Sequence, residues 1–387
     1  MANAGSYPSI EHLLSDARTA TGLSDFGAGN FREGLGQLLQ SLEHNARLSA
    51  ADREAALGVI RRRLANRLKI EEHYRLHPEI AKRQMTGPAI VTGLTRTGST
   101  ALGNMLSLDP QFRSLRQWEQ DEPVPPPVAG AEHADPRRIS HQAAIDQIYL
   151  EEPWRVAQHI YEVDASVEDT EILGLEFGAQ QMTMPVFGYF DWWREADHSA
   201  TFAYHRRVTA LLQSGGGSRF WLFKAPHHTF HLDALLTAYP DARFIMTHRD
   251  PAKVVPSYTS LVMRGVWGPE TSARHDPREV GPYISMHLRR GIERALATRD
   301  RIGEDRFIDI HHHDFNADPQ GTLERIYAFL GIELKPEMHA AADRWLRQHR
   351  SGAHGDHAYS PEEFGLTVEG IRSDYAFYIE RFGVRTG

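Results

Sequence analysis

Pro88-Ala89-Ile90-Val91-Thr92-Gly93-Leu94-Thr95-Arg96-Thr97-Gly98-Ser99-Thr100 is the stretch whose reading decides the fold. Ala89-Ile90-Val91 is a short apolar run that stops at a glycine, and helical spacing resumes from Ala101 to Leu108. The order is strand, glycine-bearing turn, helix. Gly93 and Gly98 stand at the G-x-x-x-x-G spacing of a phosphate loop. Backbone N–H groups at such a turn, with a helix N-terminus behind them, cradle an oxyanion. The lysine that a nucleoside triphosphatase carries after the second glycine is missing. Ser99 takes its place, and Arg96 supplies positive charge from inside the loop.

Downstream, the same alternation repeats. Phe220-Trp221-Leu222-Phe223 reads as a buried strand, followed by Lys224-Ala225-Pro226-His227-His228 and a helix from His231 to Tyr239. Arg243 to Thr247 is a strand, and Pro251 opens a helix to Met263, the position where a missing N–H does no harm. A long helix from Ile284 to Ile302, a strand from Arg306 to Ile310 and a helix from Pro319 to Leu330 complete the series. Strands alternating with helices predict an α/β fold of the P-loop kind, a mainly parallel sheet between two helical layers. Its sites lie beyond the carboxyl ends of the strands. Between the first strand and these, Glu122 to Pro127 is too proline-rich for a helix interior, and helical character returns from Pro136 to Tyr149. Gly215-Gly216-Gly217 reads as a surface loop, because no helix-forming segment follows it.

Upstream, residues 1–85 read as a helical segment packed against the domain of residues 86–387. Leu57, Ile60, Leu64 and Leu68 recur at helical steps, with Arg61, Arg62, Arg63 and Arg67 assigned to a solvated basic face. Of 387 residues, 41% are hydrophobic and 24% charged, ordinary values for a globular protein. No apolar run approaches the roughly 18 residues of a membrane span, and no basic stretch precedes an apolar one at the N-terminus, so a cytoplasmic location is expected. The absence of cysteine excludes disulfides, thiolate metal sites and cysteine nucleophiles. A net charge of −8 argues against non-specific nucleic-acid binding. An anionic ligand must be held by a few local cations.

Thr247-His248-Arg249-Asp250-Pro251, with Ser257 eight residues beyond Arg249, supplies such a place. A guanidinium at a strand end and a hydroxyl two turns into the next helix can share one phosphate. A phosphate loop with arginine inside it, followed far downstream by strand-Arg-x7-Ser, resembles the sulfotransferases that use 3′-phosphoadenosine 5′-phosphosulfate (PAPS). The resemblance runs over roughly residues 88 to 385, and is nearest to bacterial members whose loop reads G-x-P-R-[ST]-G-[ST]-[ST]; Thr95 replaces the frequent proline. It implies that Arg96, Thr97, Gly98, Ser99 and Thr100 hold the phosphosulfate, while Arg249 and Ser257 hold the 3′-phosphate. Arg350-Ser351-Gly352-Ala353-His354-Gly355-Asp356 is similar to the family's last nucleotide-binding loop, which adds Arg350 and Gly352 to the 3′-phosphate site. Lys224 matches a Lys-x-Pro element whose ammonium reaches the transferring sulfonate. The implied reaction moves a sulfuryl group to a hydroxyl of a small-molecule acceptor, without a metal.

An acceptor hydroxyl must lose its proton as it attacks sulfur. Glu119, in Gln117-Trp118-Glu119, resembles the position of the catalytic glutamate in some branches of the family, and His159 that of the catalytic histidine in others. Glu119 is the preferred base; Glu122 and His227 stay open. His311-His312-His313 cannot converge on one ion, since neighbours at a strand end point to opposite faces. Trp192-Trp193 reads as packing. Two rivals remain: an ATP- and Mg-dependent P-loop phosphotransferase, disfavoured by the missing lysine, and a non-catalytic nucleotide-binding protein. Neither the acceptor nor homo-oligomerisation is fixed by the sequence.

Overall fold

A computed structural model describes residues 6–83, 85–151, 162–179, 182–216, 220–349 and 360–387. Five strands form one sheet: β1 (Thr86–Gly93), β2 (Phe112–Ser114), β3 (Phe220–Lys224), β4 (Arg243–His248) and β5 (Phe307–His311). They run in the order β2-β3-β1-β4-β5, and every pairing is parallel. Parallel neighbours need crossovers, and helices supply them on both faces.

The side-chain alternation shows why three layers form. Ile90, Trp221, Phe223, Phe244 and Met246 enter one apolar core. Ala89, Val91, Leu222 and Ile245, their neighbours along the same strands, enter the other. The three central strands β1, β3 and β4 are thus buried on both sides, and their runs of apolar residues are continuous. The first core also takes in the N-terminal helices Ile10–Thr21, Phe31–His44 and Ala50–Leu76. Ser9 and Ser49 cap two of them, accepting from the N–H of His12 and of Asp52.

One expectation fails here. The helix Ala50–Leu76 does bury Leu57, Ile60, Leu64 and Leu68, but Arg63 and Arg67 do not face water: they are 2% and 0% exposed. Arg63 donates from Nε and a terminal nitrogen to the two oxygens of Glu171 at 3.1 and 2.8 Å. Arg67 donates to Glu176 at 2.5 Å and to the carbonyls of Phe26, Ala28 and Leu175. Both partners lie more than 100 residues away in sequence, so no local pattern announces them. Buried guanidinium groups survive only when paired with a carboxylate in this way.

Among the described residues, no helix is long and apolar enough to cross a membrane. The helix opened by Pro251 ends as α-helix at Ser260 and continues as a π-turn from Leu261 to Val266. Wide turns of this kind often sit beside functional sites. Trp193 is packed in the first core, as expected of the tryptophan pair.

Candidate active site

β1 delivers the chain to Gly93 with φ +127°, where a Cβ would stand 2.5 Å from the carbonyl oxygen of Thr247. Only glycine lets β1 and β4 come so close at this turn. Arg96 follows with φ +59°, a left-handed conformation that strains a residue with a side chain. It is fixed from two sides. Its Nε donates to Ser257 Oγ at 3.2 Å, and its carbonyl accepts from an Arg249 terminal nitrogen at 3.0 Å. The helix Ser99–Leu106 then begins with Gly98 at its N-cap. Thr97 is 1% exposed, and its hydroxyl donates to the Leu94 carbonyl within the turn at 2.6 Å.

Lys224 is the last residue of β3 and is 4% exposed. The helix behind the phosphate loop passes close to its stem, since a Cβ on Gly103 would lie 3.2 Å from Lys224 Cγ. Lys224 Nζ meets Glu168 Oε1 at 3.2 Å. Glu168 belongs to a segment tied down by neighbours: the Ser166 N–H donates to Asn104 Oδ1, and the Val167 N–H to the Leu115 carbonyl. Arg249 leaves the end of β4, and Asp250 caps the helix that follows by accepting from the Ala252 N–H at 2.9 Å.

These strand ends open onto one cavity of about 550 Å³. Gly93, Arg96, Gly98, Ser99, Thr100, Lys224 and Arg249 line it. Ser257 stands behind Arg96, with its hydroxyl on that guanidinium, and Thr97 lies beneath the loop, so neither is on the wall. Apolar residues make up other parts of the lining, among them Phe230, Leu261, Val262 and Leu288. Three cations and a helix N-terminus on one side of a partly apolar cleft suit an anionic donor and an apolar partner.

Glu119 is not part of this wall. It is 0% exposed, and both carboxylate oxygens are taken by Arg113, with Arg116 Nε at 3.8 Å. The helix Gln117–Asp121 turns Gln117 to the cavity instead. Residues two apart on a helix differ by roughly 200° in direction, so the two cannot share a face. The structure thus places Glu119 off the cavity wall, paired with Arg113. Glu122 is absent from the lining as well. His159, Arg350 and Gly352 lie outside the described residues.

Sequence reading missed three groups on the wall: Gln117, Glu168 and His312. Among the described lining residues Glu168 is the one carboxylate. In the sequence Glu168-Asp169-Thr170 reads only as the start of a helix, so no signal marks it. His312, from the rejected triplet, faces the loop; a Cβ on Gly98 would touch its ring at 3.2 Å. Burial, and then the charge of Arg249, push its imidazole down to about 4, so it is neutral at neutral pH. His227, left open above, does reach the wall.

Comparison with known proteins agrees with this geometry. The pattern of the sulfotransferase family matches residues 88–336. An omega-hydroxy-beta-dihydromenaquinone-9 sulfotransferase of Mycobacterium bovis is 30% identical over 171 residues, which are 42% of this chain and 40% of that protein. The chain thus matches about two fifths of the length of that curated relative. Two solved structures are similar across nearly the whole chain. Sulfotransferase STF9 from Mycobacterium avium has a TM-score of 0.89 at 30% identity, covering 100% of this chain and 98% of that one. Sulfotransferase STF1 from Mycobacterium tuberculosis has a TM-score of 0.85 at 29% identity, covering 96% and 99%. With its phosphate loop, strand-end lysine and strand-end arginine all inside the matched span, the chain belongs to the sulfotransferase family.

Proposed function

We propose that the protein transfers a sulfuryl group from PAPS to a hydroxyl of a small, largely apolar acceptor, releasing adenosine 3′,5′-bisphosphate. The observation that carries this reading is the meeting of Arg96, Lys224 and Arg249 on one cavity wall with the phosphate loop between them. Loop N–H groups, Ser99 and Thr100 take the 5′-phosphosulfate; Arg249 takes the 3′-phosphate. Ser257 contributes by holding Arg96. The acceptor oxygen attacks sulfur, and the bond from sulfur to the bridging phosphate oxygen breaks. Lys224 and Arg96 stabilise the negative charge that builds on that oxygen. The hydroxyl proton passes to Glu168, the carboxylate on the wall.

The apolar lining supports an acceptor with an apolar body. The Mycobacterium bovis relative, by its name, acts on a hydroxylated menaquinone, and an acceptor of comparable chemistry would fit here.

Thermal shift with three nucleotides tests the donor. Adenosine 3′,5′-bisphosphate and PAPS should raise the unfolding midpoint by mass action, and ATP with Mg²⁺ should raise it less, for lack of a 3′-phosphate. Equal shifts at matched concentration would overturn the assignment, and would favour the phosphotransferase rival.

A further inference from the structure

Beneath the cavity, three buried histidines surround one buried carboxylate. Asp169 is 0% exposed, and His205, His227 and His228 are 1%, 5% and 1% exposed. Their Nε2 atoms lie 3.1, 3.3 and 2.8 Å from the Asp169 oxygens. Those separations suit hydrogen bonds, yet neither Asp169 oxygen nor any of the three Nε2 atoms has a partner with hydrogen-bond geometry. Asp169 also occupies the N-cap position of the helix Thr170–Gly174 without capping it, although aspartate there ordinarily accepts from the first turn. A fully buried carboxylate with no donor is costly. Something else must meet it.

We propose that Asp169, His227 and His228 bind a divalent transition-metal ion of the zinc class, with the fourth position left to a solvent molecule. The ligand atoms of these three lie within 4.8 Å of one another. Four ligands at about 2.0–2.1 Å from a tetrahedral ion stand roughly 3.3 Å apart, with lone pairs aimed at the common centre and not at each other. Close spacing without mutual hydrogen bonds is what this arrangement produces. Two imidazoles and one carboxylate select zinc and its first-row neighbours over magnesium or calcium, which take oxygen ligands. His205, its Nδ1 2.7 Å from the Tyr239 hydroxyl and its Nε2 3.1 Å from an Asp169 oxygen, stands beside the carboxylate as an outer neighbour that helps to position it.

The site joins the start of the helix Thr170–Gly174 to the turn Pro226–Phe230 that follows Lys224, with the helix Ser199–Ser214 beside them through His205. An ion there fixes that turn, and with it the Lys224 end of β3, and needs no part in the transfer itself. The proposal does not depend on which donor the cavity takes.

The test uses the untagged full chain. Elemental analysis after dialysis should find about one zinc-class ion per chain. Removal with a chelator should lower the unfolding midpoint by roughly 5 °C or more, and added zinc should restore it. Cobalt(II) loaded into the stripped protein should show the visible bands of a tetrahedral site. These bands should be lost in Asp169→Asn and in His228→Asn. Should either variant fail to fold, stripping and reloading the natural chain decides alone. A sub-stoichiometric metal content with no change in midpoint and no cobalt bands would overturn the site. So would unchanged cobalt bands in folded Asp169→Asn.

Discussion

Lys224 Nζ and Glu168 Oε1 stand 3.2 Å apart, the first 5% and the second 39% exposed at the side chain. The ammonium is walled in while the carboxylate retains access to the cavity. On the proposed reading, an incoming sulfonate would compete with Glu168 for the same ammonium and would release the carboxylate to accept a proton beside the reacting sulfur.

That exchange separates the roles of the two residues. Glu168→Gln should lower kcat by roughly 10² or more, the usual contribution of a positioned base. It should leave PAPS affinity unchanged or tighter, because the competitor for Lys224 has lost its charge. Lys224→Ala should lower kcat by about 10² to 10³ through lost stabilisation of the leaving oxygen. Its affinity for adenosine 3′,5′-bisphosphate, which keeps that oxygen as a charged phosphate oxygen, should fall as well. Single-turnover rates with separate binding titrations check both. Loss of nucleotide binding in Glu168→Gln would remove it from the acceptor side.

Arg249 is proposed to bind the 3′-phosphate, and it also donates to the Arg96 carbonyl at 3.0 Å. The two duties predict different patterns. A lost charge-assisted contact to the 3′-phosphate is worth a few kcal/mol at most. Arg249→Ala should therefore weaken adenosine 3′,5′-bisphosphate by about 10- to 100-fold, and adenosine 5′-monophosphate far less. Calorimetric titration with the pair measures this. An equal loss for both nucleotides would show that Arg249 acts by shaping the loop.

The fold was legible because its strands carry their apolar residues without interruption, Ile90 to one core and Val91 to the other, and because glycines flank a turn that contains Arg96. Lys224 and Arg249 were legible as strand-end residues, since strand ends in such sheets share one edge. Arg63 and Arg67 misled because the charges that pair with them, Glu171 and Glu176, arrive from a distant helix and the turn that follows it. Glu119 misled because its spacing from the loop is right while its helix phase turns it inward. Glu168 carried no signal of its own. Its place on the wall depends on Asn104 and Leu115, which hold the preceding residues by their backbone.

Histidine burial sets the acid limit of stability. His198 is 2% exposed, and burial pushes its imidazole down to about 4, against the hydrogen bond from its Nε2 to the Trp193 carbonyl. The unfolded chain takes up this proton near pH 6.5, whereas the folded chain resists it down to about pH 4. The contribution is fully present above pH 6.5 and is lost as pH falls toward 4. His198 alone should account for about 2 kcal/mol between pH 7 and pH 5. Urea unfolding at the two pH values should show the natural chain losing more stability on acidification than His198→Asn. Equal losses would mean that His198 does not contribute.

Glu119 decides between two accounts of the base. Its carboxylate is enclosed and bonded to Arg113, whose guanidinium also lies 5.0 Å from the centre of the Trp221 ring. Removing one charge from a buried pair strands the other, a loss of about 3–5 kcal/mol in comparable cases. Glu119→Gln should therefore unfold at lower urea, while the folded fraction keeps kcat within a few-fold of the natural chain. Arg113→Met, which removes the opposite partner, should destabilise by a similar amount. Arg113→Met combined with Glu119→Gln should recover part of the loss, because neither variant side chain leaves a stranded charge. A base at Glu119 predicts the reverse: unchanged stability and a kcat lower by roughly 10². Kinetics normalised to the folded fraction, beside urea midpoints for the three variants, separates the outcomes. A normal midpoint with collapsed turnover in Glu119→Gln would return the proton to Glu119 and leave Glu168 as the partner that holds Lys224 until the donor arrives.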